Sequence, residues 1–179
     1  MRALISIAAA AAAVAALITP AYADGPLGKK GDTLTLPLSD AITALPVAAE
    51  SRAGYQRSAF KHWVDADRDG CNTRNEVLKA EAVIAPEQAA GCKLSGGQWY
   101  SAYSNTYVNS PSALDLDHLV PLAESWDSGA STWTTAEREA YANDLGDDRS
   151  LIAVTAATNR SKADKDPAEW LPPYEPYHC

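Results

Sequence analysis

Basic residues are scarce in this chain. Fifteen Lys and Arg stand against 23 Asp and Glu, a formal net charge of -8. That excludes a global basic surface as the means of holding nucleic acid. Any polyanion has to be gripped locally, by a metal ion, a helix N-terminus or a small Arg/Lys cluster. Cysteine is also scarce: Cys71, Cys92 and Cys179 are the whole set, and none has the C-x-x-C spacing of a metal site. No G-x-S-x-G occurs, which disfavours a serine hydrolase. No internal repeat appears, and no low-complexity or long apolar segment appears beyond the first residues. What is left is an ordinary globular composition, 46% hydrophobic and 21% charged over 179 residues. It excludes disorder, collagen and coiled coil as the main state, and its length suits one domain.

The first segment reads as an address. Arg2 precedes an apolar run from Ala3 to Ile18, and Ala21-Tyr22-Ala23 offers the small-x-small pattern that a signal peptidase reads. A membrane anchor needs about 20 apolar residues with charged flanks, and this run is shorter, ending at Thr19-Pro20. Residues 1–23 are therefore expected to be a signal peptide cleaved after Ala23. The product would be secreted and extracellular, with no membrane segment after cleavage. Export permits disulfides. Cys71 and Cys92 close a loop of about 20 residues, a bridge worth roughly 3 kcal/mol in the chain-entropy model. Cys179 is left over, and a thiol hydrolase is disfavoured because this bridge takes the plausible nucleophiles.

Residues 24–50 mix Gly, Pro, Ser and Thr with no sustained period and read as a mobile leader. From Ser51 the pattern turns helical, with Tyr55, Ala59, Phe60 and Trp63 on one face. A second helix is expected from near Arg74 through Val77, Leu78 and Val83 to Pro86. Residues 91–97 read as a turn, and Trp99, Tyr100, Tyr103 and Tyr107 as an aromatic stretch that is part strand. Leu114 to Leu122 reads as a strand closed by Pro121, with Leu114, Leu116, His118 and Val120 sharing a face. Thr134-Thr135-Ala136-Glu137 fits a capping box opening a helix from Thr135 to about Leu145. A second strand spans Ser150–Thr155, and a short polar helix Thr158–Lys165 follows. Asp166-Pro167 starts a further helix that Pro172 and Pro173 end. The expectation is a single α+β domain: a helical, disulfide-linked N-terminal half over 51–110, then a strand–strand–helix core over 111–176.

One group of residues could carry chemistry on that core. Asp117 and His118 are adjacent on the first strand, so they point to opposite sides and do not aim at one atom by adjacency alone. A metal bound by the carboxylate could still sit beside a water activated by the imidazole. Asn159, at the start of the helix after the second strand, is the candidate third group; its amide oxygen is a hard ligand suited to Mg2+, Mn2+ or Ca2+. An Asp-His dipeptide alone is usually a surface pair or a capped turn. The order Asp-His on a strand, Asn143-Asp144-Leu145, then Asn159-Arg160-Ser161-Lys162 on a helix gives it weight.

These motifs resemble the ββα-metal nuclease core of the HNH superfamily. The closer resemblance is to exported bacterial HNH-family proteins with a GmrSD-type C-terminal domain. Three stretches carry it: Asp65 to Leu78 (D-x-D-x-D-G-C-x-T-R-x-E-V-L), Asp115 to Ala130 (D-x-D-H-x-V-P-L-A-E-x-W-D-S-G-A) and Asn159 to Pro173 (N-R-S-K-x-D-K-D-P-x-x-W-x-P-P). It covers roughly residues 50–176. The resemblance implies a monomeric endonuclease acting on DNA, with RNA as a second substrate, and with little sequence preference. It implies His118 as general base, and Asp117 and Asn159 as ligands of one Mg2+ or Mn2+. It further implies that Asn143 holds the His loop in place, and that Lys162 and Arg160 contact phosphate or stabilise charge.

A second constellation is acidic. Asp65-Ala66-Asp67-Arg68-Asp69-Gly70 with Glu76 matches the EF-hand pattern D-x-[DN]-x-[DN]-G-x5-E position for position. Asp65, Asp67, Asp69, Cys71 and Glu76 would surround a structural Ca2+, with a helix expected on each side. Against it, Asn72 sits where an EF-hand has an aliphatic residue, and no second loop pairs with this one. The plain alternative is an acidic turn capping a helix, with Arg74 and Glu76 paired to neighbours. The rival function is accordingly a non-enzymatic calcium-binding module of the cell envelope. Of the rest, Arg74 is a weaker candidate for the cleft, and His62 reads as a packing residue. Any of the five tryptophans could stack a base, though tryptophan is usually core or rim.

Overall fold

The structure, a computed structural model, describes residues 35–178. The expected signal peptide, residues 24–34 of the expected leader, and Cys179 lie outside those residues. The chain divides after Val47 into two units. In the first, the expected leader holds a helix, α1 (Leu38–Ala44), entered from Pro37 with Asp40 in its first turn. A proline whose φ is already fixed near the helical value, followed by an acidic residue, suits a helix start.

The second unit opens with the largest departure from expectation. Over 51–63 there is no α-helix, only a 3-10 turn at Arg57–Ala59. Gly54 (φ 75°) and Trp63 (φ 61°) both leave the right-handed region, and the apolar residues between them serve two cores rather than one face. Phe60 joins Leu122, Ala130 and Ala142, while Trp63 packs on the cluster of Val77, Leu78, Trp99, Leu114, Leu116, Leu151 and Ala153.

Helix α2 (Thr73–Ala80) begins at Asn72, whose side chain accepts from the Asn75 N–H at 3.1 Å. It stops well short of Pro86, because Val83 and Ile84 belong to strand β1 (Ala82–Ile84). β-Branched residues beside a proline favour an extended chain over another helical turn. A hairpin follows, β2 (Glu87–Ala89) and β3 (Lys93–Ser95), turning at Gly91 and Cys92. Then come β4 (Gln98–Ser101) and β5 (Thr106–Val108), which complete an antiparallel sheet in the order β1-β4-β5. The disulfide joins Cys71 to Cys92 with the Cα atoms 5.1 Å apart, tying the start of α2 to the β2–β3 turn. Residues 51–110 are thus mainly short strands with one helix, a correction to the helical half expected there. The disulfide link itself is as expected.

The remaining elements are strand β6 (Leu114–His118), helices α3 (Leu122–Asp127) and α4 (Thr135–Ala142), strand β7 (Leu151–Thr155) and helix α5 (Ala156–Lys162). β6 ends earlier than expected: Pro121 opens α3 rather than closing a strand, and Val120 is half exposed. The capping box forms, the Glu137 N–H donating to Thr134 Oγ1 and the Thr134 N–H to Glu137. α4 ends at Asn143, whose side chain turns away to other segments, and not near Leu145. The expected helix after Asp166 is a single turn, with Asp166 accepting from the Ala168 and Glu169 N–H groups.

β6 and β7 pair antiparallel, Asp117 opposite Ile152 and His118 opposite Leu151. The outer N–H groups of β7 would otherwise be unpaired. Side chains take two of them: Glu81 accepts from Ala153 and Ser101 from Thr155. The inner face of the β6–β7 pair packs on α2 and β4 around Trp99, whose indole N–H donates to the Leu78 carbonyl at 2.6 Å. A strand pair of fixed register, followed at once by α5, is the frame that presents the site.

Candidate active site

Asp117 and His118 are neighbours on a strand, so their side chains leave opposite faces, yet both are buried, at 3% and 6% exposure. Each face has its own cover. On one, the Lys162 ammonium reaches both Asp117 oxygens at 2.8 and 2.7 Å, and the Tyr103 hydroxyl donates to Oδ2 at 2.5 Å. On the other, the His118 imidazole stacks on the rings of Trp63 and Tyr141, each tilted 28° from it, with centroids 5.8 and 6.3 Å away. His118 Nε2 lies 3.0 Å from the Ala142 carbonyl oxygen. A carbonyl only accepts, so Nε2 carries the proton and Nδ1 is the unprotonated nitrogen.

Because β6 ends at His118, both side chains still border one cavity of about 440 Å3, which Asn159, Arg160, Tyr55 and Arg57 also line. Its electrostatics are set by burial. Loss of water pushes the His118 pKa down to about 4, with the nearby charges of Arg57, His62 and Lys162 adding to the effect. Burial pushes the Asp117 carboxyl up, and the Lys162 ammonium and Tyr103 hydroxyl oppose that by stabilising its charge. The Tyr103 phenol is itself raised far above its usual value, by burial and by the carboxylate beside it.

Asn143 is the C-terminal cap of α4. Its amide donates to the carbonyls of Lys61 and Glu139, and its oxygen accepts from the Val64 N–H and the Thr73 hydroxyl, all at 2.8–3.0 Å. It therefore ties three chain segments together next to Ala142, the residue whose carbonyl orients His118. Lys162 differs from expectation. An ammonium has three N–H donors, and Asp117 Oδ1, Asp117 Oδ2 and the His118 carbonyl take all three. No donor remains for a phosphate. Arg160 is exposed at the rim and donates to Asp115 at 3.2 Å.

Arg74 lies away from the cavity, donating to the Pro111 and Leu114 carbonyls at the start of β6. His62 packs edge-on against Trp63 as expected. Trp99 is core, and Trp170 donates to Ser161 beside the Tyr103 ring.

The acidic loop keeps the three carboxylates of Asp65, Asp67 and Asp69 together, with one oxygen of each within 4.8 Å of the others. Its surroundings depart from the expected pattern. No helix enters it, and the Cys71 sulfur is bonded to Cys92; Glu76 stays within 4.8 Å of Asp69, as expected, but pairs with Lys79 at 3.1 Å. The three aspartates accept from the loop's own N–H groups, at Gly70, Asp69 and Cys71.

Sequence reading gave no site role to Tyr55 and Arg57, which line the cavity, or to Tyr103 and Tyr141, which contact Asp117 and His118, and none beyond general base stacking to Trp63 beside His118. Tyr103 and Tyr141 carry no signal in the sequence, since long-range packing alone brings them to Asp117 and His118. Arg57 does carry one. It is a cation with no acidic residue within four positions on either side, in a chain where acids outnumber bases.

Short helices and small antiparallel sheets, with a buried carboxylate and a neutral imidazole at the end of one strand pair, make this an α+β protein of an architecture consistent with a nuclease domain. The family model described as GmrSD restriction endonucleases, C-terminal domain, matches residues 75–178, and the chain belongs to that family. Membership points to a nuclease-type function and a nucleic-acid substrate. The chain is also 36% identical over 167 residues to an "Uncharacterized secreted protein" of Arthroderma benhamiae, covering 93% of this chain and 79% of that protein. No solved structure is significantly similar to it. Among the described residues, no helix is long and apolar enough to cross a membrane.

Proposed function

We propose that this chain is an exported endonuclease of the HNH type. It hydrolyses phosphodiester bonds in DNA, and in RNA as a second substrate, with little sequence preference. β6, β7 and α5 would form its ββα-metal core within one domain spanning 51–176. The single observation that carries the reading is that Asp117, His118 and Asn159 border one cavity.

In this reading His118 is the general base. Its Nε2 proton is held by the Ala142 carbonyl, and the Nδ1 lone pair takes the proton of the attacking water. Water adds to phosphorus, the P–O3′ bond breaks, and the departing oxygen takes a proton from solvent. Stacking on Trp63 and Tyr141 helps fix the ring plane, and burial keeps the imidazole neutral at pH 7. Asn143 acts through Ala142, by holding the end of α4 where its carbonyl meets the imidazole.

The donors fit one Mg2+ or Mn2+. A carboxylate offers about four lone-pair sites; Lys162 and Tyr103 take three on Asp117, which leaves one on Oδ1. The amide oxygen of Asn159 is a second hard donor on the same cavity. When bound, such an ion neutralises charge on the phosphate oxygens and on the leaving 3′ oxygen. Tyr103 and Lys162 are positioning residues here, since they hold Asp117 rather than substrate. The calcium-binding alternative rests on three exposed aspartates with Glu76 beside Asp69, but the entering helix is missing, the Cys71 sulfur is bonded to Cys92, and Lys79 sits at Glu76 and Asp69.

The test is supercoiled plasmid incubated with Mg2+, Mn2+ or EDTA. Nicking is expected with either ion and none with EDTA. His118→Ala should abolish it, by several orders of magnitude, with the circular-dichroism spectrum retained. Near wild-type nicking by that variant, or nicking that survives EDTA, would overturn the assignment.

A further inference from the structure

We infer that Arg57 grips a phosphate of the nucleic-acid strand at the mouth of the His118 cavity, in the role that the sequence pattern gives to Lys162. The inference rests on the endonuclease reading and extends it to the recognition of substrate.

Two cations border that cavity, Arg57 and Arg160, and the carboxylates there are already paired. Lys162 neutralises Asp117, and Arg52 holds Asp164 at 2.5 Å. Arg160 shares its charge with Asp115. Arg57 has no carboxylate partner among the described residues, and its charge bears on the neighbouring Tyr55 phenol. In a chain of net charge -8, an exposed guanidinium without a counter-ion, close enough to His118 to bear on the imidazole, marks where an anion is taken up.

The backbone that carries Arg57 is well anchored. Arg57 begins the 3-10 turn that ends on the fully buried Phe60, whose N–H donates back to the Arg57 carbonyl at 3.1 Å. Tyr55, two residues earlier, packs its ring against Phe60 and Trp126. A turn pinned on both sides presents its guanidinium from a segment separate from α5, so Arg57 and Arg160 border the cavity from different elements. Guanidinium suits a phosphate because its planar fork can make two hydrogen bonds to it. Arg57 lies N-terminal to the residues matched by the family model, 75–178, so that match says nothing about it.

The experiment measures kcat and KM for cleavage of a short labelled duplex over a range of salt. Binding of the same duplex in EDTA is followed by fluorescence anisotropy. Variants are Arg57→Gln and Arg57→Lys, with Arg149→Gln, an exposed arginine paired with Asp147, as the control. Arg57→Gln should lower kcat/KM about 10- to 100-fold, mainly through KM. It should also reduce the slope of log affinity against log salt by about 0.9. Arg57→Lys should keep the slope and recover only part of the affinity. Melting midpoints should match wild type, since the side chain is exposed. If wild type cuts while Arg57→Gln keeps its KM and salt slope, or loses kcat alone, the Arg57 proposal falls and the endonuclease reading stands. If wild type binds without cutting and the slope still drops, the hydrolytic reading falls and the phosphate grip stands. A wild type that neither binds nor cuts removes both.

Discussion

Lys162 and Asp117 show how one residue can carry a motif and still play a different part from the one its spacing suggests. At 5% and 3% exposure they form a buried ion pair, and the lysine is fully bonded by three acceptors. Removing only one partner of such a pair leaves an uncompensated charge out of water. Lys162→Met is therefore expected to lower unfolding free energy by roughly 3–5 kcal/mol, read from urea denaturation. The double variant Lys162→Met/Asp117→Leu should recover most of that loss. A single variant as stable as wild type would mean that the pair does not form. The sequence shows the Asn-Arg-Ser-Lys run but not that its last member turns inward. That depends on Tyr103 and on the His118 carbonyl, which converge only after β6 and α5 pack.

At the scale of elements, the edge of β7 depends on Glu81, the last residue before β1. Its carboxylate accepts from the Ala153 N–H at 2.9 Å, and burial pushes its pKa from 4.5 up to about 7. The folded chain thus holds this proton more tightly than the unfolded chain does. Its contribution to stability is full below about pH 4.5 and falls as pH rises through about 7. Glu81→Gln keeps an acceptor for Ala153 and removes the ionisation. Melting profiles between pH 4.5 and pH 8 should be flatter for the variant, by about 1–2 kcal/mol after allowance for partial exposure. Parallel profiles for the two proteins would refute this. Gly97 sets the neighbouring sheet: it sits at φ 78°, and a Cβ there would lie 2.7 Å from the Trp99 ring. Local signals sufficed where an element closes on itself, as in the Thr134–Glu137 capping box. They failed over 51–63, where helical spacing of Tyr55, Ala59 and Phe60 is equally met by a coil that delivers Phe60 and Trp63 to separate clusters.

At the scale of the whole molecule, two hydrophobic clusters are linked by an irregular segment, and the disulfide closes the N-terminal part of the second unit. Replacing Cys71 and Cys92 by serine should cost roughly 3 kcal/mol, measured by chemical denaturation. A loss well below 1 kcal/mol would show that α2 and the β2–β3 hairpin are held by packing alone. The amino-acid order by itself determined the disulfide pair, the β6–β7–α5 succession and the motif residues Asp117, His118, Asn143 and Asn159, because each is written in local spacing or residue chemistry. Only the tertiary structure decided that Lys162 serves Asp117, that Trp63 and Tyr141 lie against His118, and that Arg57 borders the cavity with no carboxylate partner among the described residues. Those contacts join segments tens of residues apart, and their geometry follows from how the clusters pack rather than from any period along the chain.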